Sequence, residues 1–157
     1  MKTLIIYMST HHGNTEKVAR KMAKALGADL MKPGEVADPL IVRKYDLVGF
    51  GSGIYFGRFH RAMFELVSKM RDMGGKKAFT FSTGGAPEDN FANRFGIPEF
   101  PKKLKEKGFD VVDGFFCLGF DTYGYLALIG GLNKGRPDEK DLKAAEAFAR
   151  GLKKKVI

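Results

Sequence analysis

Apolar runs alternate with segments of helical period along this chain, and the alternation predicts strands separated by helices. The near-continuous apolar character of the runs is typical of strands buried on both faces of a parallel sheet. We predict strands at 3–8, 28–32, 46–52, 76–82 and 109–120. Strands and helices that alternate in this way imply a parallel sheet with helices on both sides.

The segments between the strands place apolar residues on one face and charged residues on the other. We predict helices at 15–26, at 61–73, from Pro101 or later to Lys107, and from a cap at Asp138 onward. Asn14 or Thr15 is expected to cap the first helix, and Gly27 to end it. The prolines and glycine within 33–45 leave room for only a short helix there.

Ligands of parallel sheets bind beyond the carboxyl ends of the strands, where the winding direction reverses. Three polar, glycine-rich loops are expected at that edge: 9–14, 52–60 and 82–90. A fourth candidate is the glycine-rich connection 121–137, in which Asp121 or Tyr123 is placed to touch a ligand or a partner.

The loop after the first strand has the composition of a phosphate-binding turn. Ser9, Thr10, Asn14 and Thr15 supply hydroxyl and amide groups around Gly13, and no acidic residue intervenes. Backbone N–H groups of such a turn, together with the N-terminus of the following helix, attract phosphate. An ordinary capped helix start is the alternative, and the density of hydroxyls favours phosphate binding.

His11 and His12 are adjacent in that loop and raise the question of a metal site. Neighbouring side chains on a turn point in different directions, and no Cys or acidic residue lies within the loop. We therefore expect no metal site. Either histidine covers the phosphate or lies on the surface.

Two of these loops together make the chain resemble the flavodoxins. The run Ser9–Glu16 is similar to the loop that holds the FMN phosphate in that family, with one extra residue before Gly13. This longer form, and the run Gly51–His60, resemble the flavodoxin-like protoporphyrinogen oxidases and related stand-alone flavodoxins. The resemblance implies a three-layer α/β sandwich with five parallel strands in the order 2-1-3-4-5.

The resemblance also implies an FMN site built from three loops. The first loop would hold the phosphate, Gly53 or Gly57 would host a peptide that turns toward the flavin N5, and the third loop would approach the ring's O2 and N1 edge. Tyr55 is the first candidate to stack on the ring, with Phe56 or Phe59 second, since the chain has no Trp. The expected site residues are Ser9, Thr10, His11, His12, Gly13, Asn14, Thr15, Gly53, Ile54, Tyr55, Phe56, Gly57, Thr83, Gly84 and Gly85.

Two functions fit these residues. The first is a low-potential FMN electron carrier between redox proteins, which requires no catalytic base. The alternative is an FMN-dependent oxidoreductase of the protoporphyrinogen oxidase type, for which the connection 121–137 looks short. A two-component receiver domain is excluded because Met8-Ser9 and Gly51-Ser52 stand where it needs carboxylates. A dinucleotide site is not indicated, because Gly49, Gly51 and Gly53 lack the required spacing.

Composition adds compartment and partners to this interpretation. The chain has 157 residues, 44% of them apolar, which suits a single domain over 1–157. One cysteine, Cys117, and no candidate signal or membrane segment lead us to expect a cytoplasmic protein. We expect a monomer or a weak homodimer.

The formal net charge of +9 favours redox partners with acidic surfaces, and their association should slow as salt rises. Nucleic acid binding rests on charge alone, without any motif, and is not expected. Positive charge within about 8–10 Å of a flavin would make the lower of its two one-electron potentials less negative than in acidic relatives.

Overall fold

The computed structural model describes residues 1–156, in which six strands form one sheet. The strands are β1 (Thr3–Met8), β2 (Asp29–Met31), β3 (Leu47–Tyr55), β4 (Arg58–Phe59), β5 (Lys76–Gly84) and β6 (Phe109–Leu118). Five of them are parallel in the order β2-β1-β3-β5-β6, and β4 pairs antiparallel with the end of β3. The predicted fourth and fifth strands are β5 and β6, so the predicted order 2-1-3-4-5 is confirmed.

Helices cover both faces of this sheet. They are α1 (Asn14–Leu26), α2 (Arg61–Ser68), α3 (Phe91–Gly96), α4 (Glu99–Glu106) and α5 (Glu139–Val156). Apolar residues of α1 and α5 pack on one face, and those of α2 and α4 pack on the other. Short 3-10 turns at Pro33–Glu35, Pro39–Lys44 and Gly124–Ile129 complete the connections.

Two glycines in the central strand make room for two aromatic rings of its neighbour. Gly49 pairs with Phe79 and Gly51 with Phe81 in the register of β3 with β5. A Cβ at Gly49 would lie 2.4 Å from Cζ of Phe79, and a Cβ at Gly51 would lie 2.0 Å from Cζ of Phe81. Both rings are fully buried under α1 and α5. Any side chain at these glycines would therefore displace part of the core.

The region expected as a loop at 52–60 is instead a tight β-hairpin. β3 continues through Tyr55, and β4 returns at once, with Phe56 and Gly57 between them. These two residues have φ values of 50° and 79°. Two successive positive φ values define the type of two-residue turn whose twist matches a hairpin. Gly57 thus hosts the unusual backbone, whereas Gly53 lies within the strand.

Two helix boundaries differ from the prediction. α2 ends at Ser68 rather than Met73, because the Lys107 ammonium donates to the carbonyl oxygens of Ser68 and Met70 and satisfies them outside a helix. α4 begins at Glu99, before the predicted start at Pro101. The preceding helix α3 was not predicted, and the Asn90 side chain caps it by accepting a hydrogen bond from the N–H of Ala92.

Cys117 lies buried in β6, and burial raises the pKa of its thiol to about 12. A thiol with that pKa is not a nucleophile at neutral pH, as expected for an inert core residue. Within residues 1–156, no helix combines the length and the apolar character needed to cross a membrane.

Replacing Gly51 with alanine tests the glycine–phenylalanine packing. We expect Gly51→Ala to lower the free energy of unfolding by about 3 kcal/mol or more, because the new methyl group overlaps the Phe81 ring. Gly151→Ala is the matched control, since that glycine lies in α5 with open space around it. The control should raise stability by roughly 0.5–1 kcal/mol. Urea denaturation of both variants measures the difference, and equal stabilities would contradict the packing argument.

Candidate functional site

A cavity of about 210 Å³ opens at the carboxyl edge of the sheet, between the ends of β1, β3 and β5. The first loop, the hairpin, the end of β5 and the connection after β6 all contribute to it. The lining residues are Ser9, Thr10, His11, Asn14, Thr15, Gly53, Ile54, Tyr55, Phe56, Thr83, Gly84, Gly85, Phe120, Asp121 and Tyr123.

The first loop leaves a row of backbone donors without partners. The N–H groups from Thr10 through Thr15 donate no hydrogen bond within residues 1–156. His12 and Gly13 have φ values of 56° and 64°, and these left-handed conformations bend the chain into the start of α1. Consecutive free N–H groups beside a helix N-terminus form an anion-binding arrangement.

The predicted cap of α1 by Asn14 or Thr15 is wrong. Gly13 occupies the cap position without a side-chain bond, and the N–H of Glu16 donates to Oγ of Ser9 at 3.2 Å. The cap position has a positive φ of 64°. Glycine adopts this left-handed conformation more readily than residues with a side chain, so Gly13 rather than Asn14 or Thr15 occupies it. The capping hydroxyl therefore comes from Ser9, the residue directly after β1.

The side chains of Asn14 and Thr15 instead join the first loop to other elements. Nδ2 of Asn14 donates to the carbonyl oxygen of Phe120 at 2.9 Å, and its buried Oδ1 has no partner within residues 1–156. The hydroxyls of Thr15 and Thr83 are 2.9 Å apart and share a hydrogen bond in the buried floor of the cavity. These contacts fix the first loop against β5 and against the connection after β6.

Tyr55 spans the cavity from the hairpin to the first loop. Its hydroxyl shares a hydrogen bond with that of Thr10, and its ring packs edge-on against His60 at 5.1 Å. A Cβ at Gly53 would lie 2.9 Å from the Tyr55 hydroxyl, so any other residue there would displace the end of this side chain. The Tyr55 ring thus forms one side of the cavity, and its contacts with Thr10 and His60 fix its position.

The other two aromatic candidates, Phe56 and Phe59, lie in different environments. Phe56 is exposed at the hairpin tip, where its ring meets that of Tyr123 edge-on at 5.5 Å. Phe59 is buried and stacks on Phe100 at 4.6 Å in the core below. Of the two second candidates, only Phe56 lies at the cavity.

Hydrogen bonds at both ends hold the connection after β6 in place beside the cavity. Nδ2 of Asn133 donates to the carbonyl oxygens of Gly85 and Gly119, at 2.8 and 3.3 Å. At its far end, Arg136 makes two hydrogen bonds of 2.6 and 2.8 Å to the carboxylate of Asp141. The guanidinium of Arg136 lowers the pKa of Asp141, which keeps the pair ionised.

His12 serves this connection and does not line the cavity. Its ring lies 4.4 Å from the Phe120 ring, and Nε2 is 2.8 Å from the hydroxyl of Thr122. His11 lines the cavity while its neighbour faces the connection, as expected for adjacent side chains on a turn. Residues 1–156 contain no cluster of His, Cys, Asp and Glu that could hold a metal ion.

The structure brings twelve of the fifteen expected site residues to the cavity; His12, Gly13 and Gly57 stand behind it as backbone or support. Phe120 was missed, because it reads as the end of an apolar strand. Asp121 and Tyr123 carried a usable signal, since polar and aromatic residues directly after a buried strand lie at the binding edge.

Charge is sparse around the cavity. In the described chain, no Lys or Arg lines it, and Asp121 is its one carboxylate. Asp121 lies against the third loop, where a Cβ at Gly85 would meet its Oδ2 at 2.1 Å. The lining residues themselves therefore bring no positive charge to the cavity.

Comparisons with known proteins agree with this architecture. An uncharacterized protein of Methanocaldococcus jannaschii is 47% identical over 154 residues, which cover 98% of this chain and 99% of that protein. Flavodoxin 2 from Bacillus cereus superposes with a TM-score of 0.74 at 23% identity, over 99% of both chains. An archaeal flavodoxin superposes with a TM-score of 0.72 at 18% identity, again over 99% of both.

These structural matches share the fold, and the sequence comparison goes further. The family model described as a flavodoxin domain matches residues 4–123, which include every strand except the first residue of β1 and every residue that lines the cavity. The chain therefore belongs to the flavodoxin family.

Proposed function

We propose that this protein binds FMN and carries electrons between redox proteins. One observation carries the proposal: a row of unpartnered N–H groups with adjacent hydroxyls stands beside a cavity walled by aromatic rings. The first part suits a phosphate, and the second suits a flat aromatic ring. FMN combines the two in one molecule.

The phosphate would be held without a cationic side chain. N–H groups from Thr10 to Thr15 supply the donors, and the hydroxyls of Ser9 and Thr10 stand next to them. The N-terminus of α1, with its partial positive charge, adds to the attraction. An anion in this loop satisfies donors that otherwise have no partner in the described chain.

The ring would lie between the hairpin and the connection after β6. Tyr55, Phe56 and Tyr123 provide apolar surface there, while Gly53 and Gly84 keep backbone close to the cavity. The cavity of about 210 Å³ is smaller than the ~300–1,000 Å³ that encloses a whole ligand of this size class. Part of the ring would therefore remain open to a partner.

Bound FMN supplies one- and two-electron redox chemistry. The chain's own contribution is to bind the phosphate, orient the ring and set the electrostatic field around it. A carrier needs no general base, and the lining offers one carboxylate, Asp121, in a hydrogen bond with the N–H of Tyr123. We infer redox proteins with acidic surfaces as partners, in keeping with the net charge of +9.

The first test compares FMN with riboflavin, which lacks the phosphate. The purified protein should be yellow and release FMN, and the apoprotein should bind FMN at least about 100-fold more tightly than riboflavin, because charge-assisted bonds to the loop are strong. Fluorescence titration measures both affinities. Equal affinities would rule out the phosphate site, and a colourless protein that binds neither would rule out the cofactor. Oxidation of protoporphyrinogen by the holoprotein would assign the enzyme alternative instead.

A second test concerns the aromatic wall. Tyr55→Ala should weaken FMN binding by roughly 10-fold, because an aromatic pair contributes ~0.5–1.5 kcal/mol beyond its buried area. Tyr55→Phe keeps the ring and loses only the hydrogen bond with Thr10, so its affinity should stay within about threefold of the parent. The same titration decides; equal losses in both variants would show that the hydroxyl, not the ring, matters.

A third test addresses the electrostatic field. A carboxylate beside the third loop opposes the gain of negative charge by a bound flavin, so Asp121→Asn should make its lower one-electron potential less negative. If the Asp121 carboxylate and the negative charge on the reduced flavin repel each other by about 1 kcal/mol at intermediate dielectric, the expected shift of that potential is roughly 40 mV. The matched control is Asp110→Asn, at the opposite end of β6 and paired with Lys77. Spectroelectrochemical titration should show a shift for Asp121→Asn only; an equal shift in the control would mean that total charge sets the potential.

A further inference from the structure

Large apolar side chains stand exposed around the mouth of the cavity, and we call this set the rim. Its members are Phe56, Phe91, Phe95, Tyr123, Tyr125, Leu128, Ile129 and Leu132. The five aromatic members are between 60% and 83% exposed, and Leu128 is 88% exposed. At ~150–250 Å² for each aromatic side chain, they alone present roughly 500–900 Å². The largest apolar patch of a typical monomer measures ~300–600 Å².

The rim lies on three neighbouring elements: α3, the hairpin tip and the 3-10 turn after β6. Phe91 and Phe95 of α3 contact each other, and α3 packs against the hairpin so closely that a Cβ at Gly57 would lie 2.6 Å from the carbonyl oxygen of Ala92. Phe56 at the hairpin tip contacts Tyr123, which leads into the 3-10 turn. From Thr122 to Asn133 the sequence has no charged residue, although 29% of the chain is charged.

The charges at the rim are few and of both signs. Arg94 and Lys134 are cations without an ion-pair partner in the described chain, and Glu88, Asp89 and Asp121 are carboxylates in the same condition. The rim is therefore close to neutral. A near-neutral patch that carries both signs is able to pair with a copy of itself, because each cation has carboxylates to meet across a two-fold axis.

A group of eight lysines lies at or near the other end of the sheet. Val156 at the end of α5 shares a surface depression with Met1, which precedes β1, and with Lys76 and Lys77, which begin β5. The lysines at or near this end are Lys24, Lys76, Lys77, Lys105, Lys107, Lys153, Lys154 and Lys155. β5 has nine residues, so the two ends of the sheet are separated by roughly 30 Å.

From this distribution we infer that the rim docks onto the rim of a second copy of this chain, forming a reversible two-fold dimer. This dimer covers both cavity mouths and must dissociate before a redox partner of the proposed function reaches either cavity. Rim-to-rim contact places the two basic ends at opposite extremes of the dimer, far beyond the Debye length of about 8 Å. The exposed apolar area approaches the ~800 Å² per partner of a standard interface. An anionic bilayer fits less well, because one surface cannot engage the apolar rim and the basic end together.

Sedimentation velocity of the full chain, over concentrations from about 1 to 500 µM, tests the inference. We expect a reversible monomer–dimer equilibrium in the micromolar range, with or without FMN, that does not weaken between low and physiological salt. Leu128→Gln should weaken the dimer at least about tenfold, because the interface contains this side chain twice. Leu40→Gln is the matched control, since Leu40 is exposed on the Pro39–Lys44 turn, away from the rim.

Leu128 does not line the cavity, so FMN affinity of the Leu128→Gln variant should equal that of the parent. This readout separates failure of the dimer from failure of the proposed cofactor. A monomer at every concentration, or a dimer insensitive to Leu128→Gln, would overturn the inference. So would a monomer that binds phosphatidylserine-rich vesicles through Leu128, which would assign the rim to a membrane surface.

Discussion

The fit of two phenylalanine rings over two glycines holds the centre of this structure together. Because Gly49 and Gly51 present no side chain, the rings of Phe79 and Phe81 lie across β3 and reach the helices that cover it. The same register sets Gly53 beside Thr83 at the carboxyl edge. Core packing and site geometry therefore depend on one alignment of β3 with β5. A shift by one residue would place rings against side chains and separate the two walls of the cavity.

Helix polarity arranges the charges around this core. Every helix that covers the sheet begins near the carboxyl edge and ends near the opposite edge, since it connects or follows parallel strands. In α1, α4 and α5, acidic residues occupy the first turn, as at Glu16, and lysines occupy the last turn, as at Lys155. Each placement complements the helix dipole. These placements favour acidic residues near the carboxyl edge and lysines near the opposite edge. They are consistent with a cavity that no Lys or Arg of the described chain lines, although the net charge is +9.

The layered fold could be predicted from the sequence, because strand order and helix faces follow from periodicities that persist over whole elements. The ends of elements could not. The hairpin at Phe56 and Gly57 arises from two positive φ values that no apolar pattern records. Gly13 displaces Asn14 and Thr15 from the cap, since the free side chains find partners more than sixty residues away, in Phe120 and Thr83. Long-range hydrogen bonds of this kind leave no trace in local sequence.

The deep burial of Cys117 limits the chemistry that is open to the single thiol of this chain. A thiol whose pKa is about 12 holds its proton at neutral pH, and a buried sulfur cannot approach a second one. The chain therefore has no cysteine that exchanges electrons with a reductant or cross-links two copies. Copies of the folded chain therefore cannot be joined to one another by a disulfide bond.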